Sequence, residues 1–354
     1  MPTTATRQRR DIASTFSIGG PPMVVGHRGA SGYRPEHTLA SYELAARLGA
    51  DSLEPDLVST GDHVLVCAHD LEMSATTDVA QRPEFAARRT TRRVAGQEKS
   101  GWFYSDFSLA EVKTLWVRER YADLRQSNTI YERRFRITTF EELLRLRARL
   151  SDELGRTVGL SVELKDPAHH RSIGLPLEEP MLAALRAAGV DRVGGPVFVM
   201  TFEPTALIRL RADLGMQAPS VLLAATGEVP VDLRGGADEP TYDELLTPTS
   251  LRRLATWITA VGPEKDMVIP RRGDGSLGGP TDLVRHAHEA GLRVHVWTFR
   301  AENAFLPTNF RSSDRAGDYG DVLGEMTTFV RAGIDALISD HADLAVLARA
   351  EVFA

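Results

Sequence analysis

Residues 197–224 read VFVMTFEPTALIRLRADLGMQAPSVLLA. An apolar run, Val197–Phe202, passes into a helix pattern, Pro204–Leu214, and then into a second apolar run, Ser220–Ala224. Both runs are apolar at consecutive positions. Both faces of each strand are therefore expected to be covered, as in a parallel sheet flanked by helices. The alternation continues outward on both sides. Upstream lie Met23–Gly26 with a helix pattern Thr38–Leu48, then Ser52–Ser59, then Val158–Leu164 with a helix pattern Leu177–Ala188. Downstream the pattern predicts a helix over Leu251–Val261, a strand over Met267–Pro270 and a helix over Asp282–Ala290. It then predicts strand Arg293–Phe299 with helix Val322–Ala332, and strand Ala336–Ser339 with helix Ala342–Ala350. Eight strand-helix units predict a (β/α)8 TIM barrel of the α/β class. A doubly wound sheet is the alternative, but no Gly-x-Gly-x-x-Gly turn follows the first strand.

Two stretches stand outside the alternation. His63–Ala68 reads as a strand returning on Ser52–Ser59 across the turn Thr60-Gly61-Asp62. Residues 71–136 are too long for an ordinary connection. Their aromatics Phe85, Trp102, Phe103, Tyr104 and Phe107 predict a small packed subdomain inserted after the second strand. A helix over Phe140–Leu150 brings the chain back to the barrel. Residues 1–20 read as a flexible N-terminal arm, and 21–354 as a single barrel domain.

The 354 residues carry 42 basic and 48 acidic side chains, a net charge of −6. That disfavours a nucleic-acid binder relying on bulk positive charge. The single cysteine, Cys67, excludes an intramolecular disulfide. No apolar run approaches the roughly 20 residues of a transmembrane helix. Arg9-Arg10 precede no continuous apolar segment, so no signal peptide is expected and the location is read as cytoplasmic. The sequence is silent on oligomeric state.

In a barrel of this kind the chemistry lies at the C-terminal ends of the strands. The first strand ends in Gly26-His27-Arg28-Gly29, the second carries Glu54 and Asp56, and the hairpin strand ends in His69-Asp70. The third strand ends in Glu163-Leu164-Lys165. Glu54 and Asp56 are two apart, as are Glu163 and Lys165, so each pair points one way along a strand. Three carboxylates on neighbouring strand ends are suited to one hard divalent cation, magnesium, calcium or manganese. His27 and His69 are candidates for general acid and base, because imidazole titrates near neutrality. His63, His286, His288 and His341 are assigned structural places, and His169 and His170 a solvated loop. Arg28 and Lys165 suit the oxyanions of a phosphate. Lys165 is one of only four lysines, with Lys99, Lys113 and Lys265, in a chain whose other basic residues are arginine. A lysine kept against that bias marks a place where arginine would not serve.

These residues fall in an ordered set. His27-Arg28-Gly29-Ala30, Pro35-Glu36-His37-Thr38, Leu53-Glu54-Pro55-Asp56-Leu57, His69-Asp70 and Val162-Glu163-Leu164-Lys165 resemble the glycerophosphodiester phosphodiesterase family. Thr76-Thr77-Asp78-Val79, Gly101-Trp102-Phe103, Val296-Trp297-Thr298 and Gly333 through Asp340 extend the likeness to its longer branch, over roughly residues 22–345. The resemblance implies a TIM barrel with an insertion after the second strand. It also implies hydrolysis of deacylated phospholipids, such as glycerophosphocholine, to sn-glycerol 3-phosphate and an alcohol. Carried across, it implies His27 and His69 as acid and base, Glu54, Asp56 and Glu163 as ligands of Ca2+ or Mg2+, and Arg28 and Lys165 as phosphate contacts. Trp297 and Phe202 would line the glycerol pocket. His37 stands where many members have asparagine, and Cys67-Ala68 precede His69 where bulkier residues are common, which leaves the pocket lining open. Two other readings are a phospholipase-type enzyme acting on intact lipid, which needs an exposed apolar rim, and an inactive barrel serving as a binding module. The intact set His27, His69, Glu54, Asp56 and Glu163 argues against the second.

Overall fold

The structure is a computed structural model that describes residues 16–94, 96–236 and 238–353. Of the expected N-terminal arm, residues 1–15 lie outside the described residues. Phe16, where the description begins, packs against the side chains inside the barrel.

The strands in chain order are β1 (Met23–His27), β2 (Ser52–Glu54), β3 (Asp56–Ser59), β4 (Leu65–Cys67), β5 (Thr90–Val94), β6 (Gln97–Gly101), β7 (Gly159–Leu164), β8 (Val197–Thr201), β9 (Ser220–Ala224), β10 (Ala260–Pro263), β11 (Arg293–Phe299) and β12 (Ala336–Ser339). The main sheet runs β2-β1-β12-β11-β10-β9-β8-β7-β3-β4, and a further β2–β7 pairing closes it into a ring. β2 and β3 are two halves of one barrel strand, broken at Pro55, which has no N–H to give to a ladder. Counted so, eight parallel strands close a (β/α)8 barrel. β4 pairs antiparallel with β3, as the hairpin reading expects.

Alternation along the strands decides what fills the barrel. Met23 and Val25, Phe198 and Met200, and Ala336 and Ile338 share one apolar cluster inside it. The next positions of the same parity are His27, Phe202 and Asp340, at the C-terminal rim. The outer faces of the strands pack with the helices in a larger second cluster that includes Val24, Leu53, Val162 and Leu337.

Strand six differs from expectation. The helix stops at Leu254, the strand is Ala260–Pro263, and Met267 falls in a short helix, Lys265–Val268. Gly262 and Pro263 make this strand look like a loop. It is selected instead by non-local pairing with β9 and β11. A Cβ there would stand 2.5 Å from Leu223 Cδ2, so any larger residue would push the Leu223 side chain aside. Met267-Val268-Ile269 read as a strand because all three are buried, but they are buried in a helical turn and its end.

His170 also departs from its expected solvated loop. It lies in a short helix, Pro167–Ser172, and is buried. The segment 71–136 forms the β5–β6 hairpin, short 3-10 turns and one helical turn, Leu109–Val112. All five of its expected aromatics are buried, in a cluster that also takes in Val58 and Val66 of β3 and β4.

Candidate active site

Strand register brings the expected residues together. β1 pairs with β2 so that His27 stands beside Glu54, and β3 pairs with β7 so that Asp56 stands beside Glu163. One carboxylate oxygen from each of Glu54, Asp56 and Glu163 lies within 4.8 Å of the other two. All three side chains are buried. Burial and the charges of Asp56 and Glu163 raise Glu54 well above the ordinary carboxylate range. Burial, opposed by Lys165, raises Glu163 to about 8. Burial alone would raise Asp56 too, but Lys165 and a hydrogen bond from His37 hold it well below its usual value. The Oδ1 atom of Asp56 is buried without a hydrogen-bond partner. Three crowded, desolvated carboxylates with an unsatisfied oxygen fit a bound cation, as hard oxygen donors do.

Two basic side chains flank this cluster. Lys165 Nζ is 2.6 Å from Glu163 Oε1 and 3.9 Å from Asp56 Oδ1. Arg28 sits in the left-handed region at φ 55°, and its backbone N–H donates to Glu54 Oε2 at 2.8 Å. The adjoining Gly29, at φ 89°, touches the following helix so closely that a Cβ would meet Ser41 at 2.5 Å. Arg28 Nη1 donates to both oxygens of Glu36, and its Nε is buried without a hydrogen-bond partner.

Each histidine has its own carboxylate. His27 Nδ1 is 2.5 Å from Asp340 Oδ1, and His69 Nδ1 is 2.9 Å from Asp70 Oδ1. Burial would raise Asp340, but Arg300 and Arg125 hold it well below the usual range. The carboxylate is therefore ionised, and His27 Nδ1 carries the proton and donates. Burial and the Arg28 charge lower His27 to about 4, and burial, Arg28 and Lys165 lower His69. Both rings are thus neutral near pH 7, each with Nε2 left to exchange a proton.

A cavity of about 470 Å3 opens over these groups, within the usual range for a small-molecule site. Eight of the nine expected residues line it: His27, Arg28, Glu54, His69, Glu163, Lys165, Phe202 and Trp297. Asp56 lies beneath them, 1% exposed. The Phe202 and Trp297 rings meet edge to face at 5.5 Å, and Trp297 Nε1 donates to Gly262 O. The four histidines assigned structural places are absent from the lining, as are His169 and His170. Sequence reasoning missed Asp340, although it holds the same parity on the last strand as His27 on the first. It also missed Glu36, and it missed Tyr121, Arg271, Arg300 and Phe305, which also line the cavity.

Residues 27–344 match the profile of the glycerophosphoryl diester phosphodiesterase family. The chain belongs to this family. A glycerophosphodiester phosphodiesterase of Arabidopsis thaliana is 32% identical over 331 residues, covering 90% of this chain and 83% of that one. One of Haemophilus influenzae is 28% identical over 338 residues, covering 89% of each. Solved structures share the fold. That of a glycerophosphoryl diester phosphodiesterase homologue from Silicibacter pomeroyi has a TM-score of 0.66 at 22% identity, covering 97% of this chain and 98% of that one. That of an Oleispira antarctica phosphodiesterase, in complex with the product sn-glycerol-3-phosphate, has a TM-score of 0.57 at 20% identity, covering 95% and 97%. As a family member the chain is an enzyme, a hydrolase of glycerophosphodiesters. Among the described residues no helix is long and apolar enough to cross a membrane.

Proposed function

We propose that the rim of this barrel cleaves deacylated phospholipids such as glycerophosphocholine, giving sn-glycerol 3-phosphate and an alcohol. The observation that carries the reading is the convergence of the carboxylate cluster and two histidine–carboxylate pairs on one cavity. Glu54, Asp56 and Glu163 would hold a single Ca2+ or Mg2+, which when bound supplies charge neutralisation at the phosphate and lowers the pKa of a coordinated hydroxyl. Arg28, whose buried Nε makes no hydrogen bond and lies 3.4 Å from Asp56 Oδ2, and Lys165 bind the phosphate oxygens. One histidine takes the proton of the attacking hydroxyl on its free Nε2, and the other, once it has taken up a proton at Nε2 beside the bound phosphate anion, gives that proton to the departing alcohol. Phe202 and Trp297 offer the glycerol backbone an apolar wall. In this reading residues 21–354 act as one catalytic unit that includes the 71–136 insertion. A cytoplasmic setting suits the lone thiol Cys67, which is buried and unpaired.

The intact-lipid alternative gains no support from the surface. Exposed large apolar side chains among the described residues are scattered, and none lines the cavity. The test is release of sn-glycerol 3-phosphate from glycerophosphocholine. Turnover is expected to vanish in excess chelator and to return with added calcium or magnesium. Full turnover by an exhaustively metal-free sample would overturn the role given to the three carboxylates.

A further inference from the structure

The two carboxylates that engage His27 and His69 are themselves held, and each has one holder from the same short stretch of the insertion. Arg120 Nη1 donates to Asp70 Oδ2 at 2.6 Å. The same guanidinium donates through Nε and Nη2 to both oxygens of Glu36, at 2.7 and 2.8 Å. Glu36 in turn receives Arg28 Nη1. Five residues on, Arg125 Nη2 donates to Asp340 Oδ2 at 2.6 Å, an oxygen that also accepts from Arg300 Nε at 3.0 Å, and Arg125 Nε donates to Glu302 Oε1 at 2.5 Å. Arg125 is 4% exposed, and its Nη1 donates to Ser31 O at 2.9 Å. Between the two arginines, Tyr121 lines the cavity, with its ring 5.6 Å from that of Phe305. The stretch is pinned at both ends. Glu119 accepts from Tyr121 N and Asn128 Nδ2, and Asn128 Nδ2 also reaches Ser31 O and Gly32 O in the loop after β1.

We propose that Arg120 and Arg125 are positioning residues, acting from one strap of the insertion through Asp70, Glu36 and Asp340 to fix His69, Arg28 and His27. The physical case rests on geometry. Bidentate and charge-assisted hydrogen bonds are directional, so each carboxylate is fixed on two sides. A histidine tied through Nδ1 to a fixed carboxylate keeps one tautomer and one ring orientation. On this account the insertion is a working part of the site.

The proposal rests on the acid–base reading of His27 and His69, and the experiment separates the two. Wild-type enzyme and Arg120→Met, Arg125→Met, Arg120→Lys and Arg125→Lys are assayed on glycerophosphocholine with saturating metal. Arg125→Met should lower kcat about tenfold to a hundredfold with KM little changed, the scale of a small misplacement of a reacting group. Arg120→Met should lower kcat similarly and also raise KM, because Glu36 and Arg28 loosen with it. The lysine variants keep the charge and should recover part of the loss. The deciding measurement is a double-mutant cycle on kcat with Asp340→Asn. If Arg125 acts through Asp340, the Arg125→Met/Asp340→Asn enzyme is no slower than Asp340→Asn alone. Losses that simply multiply, or methionine variants within twofold of wild type, overturn the proposal. Arg88→Ala, which breaks an ion pair elsewhere in the insertion, should leave kcat unchanged, and a loss equal to that of Arg125→Met would show a general packing effect. If a methionine variant does not fold, the lysine variant and Asp340→Asn complete the cycle. Failure of the wild type to cleave any glycerophosphodiester would break the underlying reading instead.

Discussion

The carboxylate cluster and the strap of the insertion are built by different means. Glu54, Asp56 and Glu163 stand on parallel strands, where ladder register sets their spacing and the alternation of side chains sets their direction. Arg120 and Arg125 stand on a stretch with no ladder and no long helix, held by side-chain hydrogen bonds, their own and those of Glu119 and Asn128. The first arrangement survives many substitutions, because the backbone carries it. The second depends on each partner. The comparison teaches that a barrel rim can place the atoms of a reaction while an irregular insertion governs how steadily they are held.

The sharpest way to break that comparison is to remove the strand-borne histidines. His27→Ala and His69→Ala should each lower kcat about a hundredfold or more, the usual scale of acid–base assistance. Melting temperature should change little, since both stand at the rim and not in an apolar cluster. Steady-state rates with calorimetry on the same preparations decide it. Equal damage from His63→Ala, in the turn before β4, would show that the wrong histidines were chosen.

A second substitution asks how closely the cluster is fitted. Lys165→Arg keeps the charge but puts a planar fork where a compact ammonium lies 2.6 Å from Glu163. Activity should fall about tenfold to a hundredfold, approaching that of Lys165→Met. Near-normal rates for the arginine variant would mean that this lysine gives only diffuse positive charge.

The smallest expected effect lies inside the barrel, away from both regions. His295 on β11 is buried against Phe198, with ring centroids 5.0 Å apart, and burial lowers it to about 4. The unfolded chain binds a proton on this ring below about pH 6.5, while the folded chain resists it until about pH 4. Stability from this group is therefore complete above pH 6.5 and is lost as pH falls toward 4. The whole effect is at most about 3 kcal/mol. His295→Phe should flatten the fall in melting temperature across that window. An unchanged slope would assign acid sensitivity to other groups.

The barrel was legible because its strands are short apolar runs at regular intervals, and the rim was legible because polar residues end those runs. Strand six escaped notice because Gly262 and Pro263 disguise it, and only its neighbours define it. Asp340 had a usable signal, the inward parity it shares with Ala336 and Ile338. Arg120 and Arg125 had none. They lie among many arginines on a segment without periodicity, and their partners Asp70, Glu302 and Asp340 are 50, 177 and 215 residues away. His170 was misplaced because adjacent histidines after a strand look like loop, whereas Pro167 opens a helix there and turns one ring inward.

The bond between His27 and Asp340 joins residues 313 positions apart, at the ends of the first and last strands of the ring. A ribosome therefore releases the histidine roughly 15–60 s before its partner exists, at the usual speed of synthesis. Until the last strand docks, the nascent chain carries an acid–base group with nothing to orient it and a barrel with a gap. Hydrolytic competence thus arrives in one step at the end of folding, and a chain truncated before residue 336 holds most of the site's side chains without the means to use them.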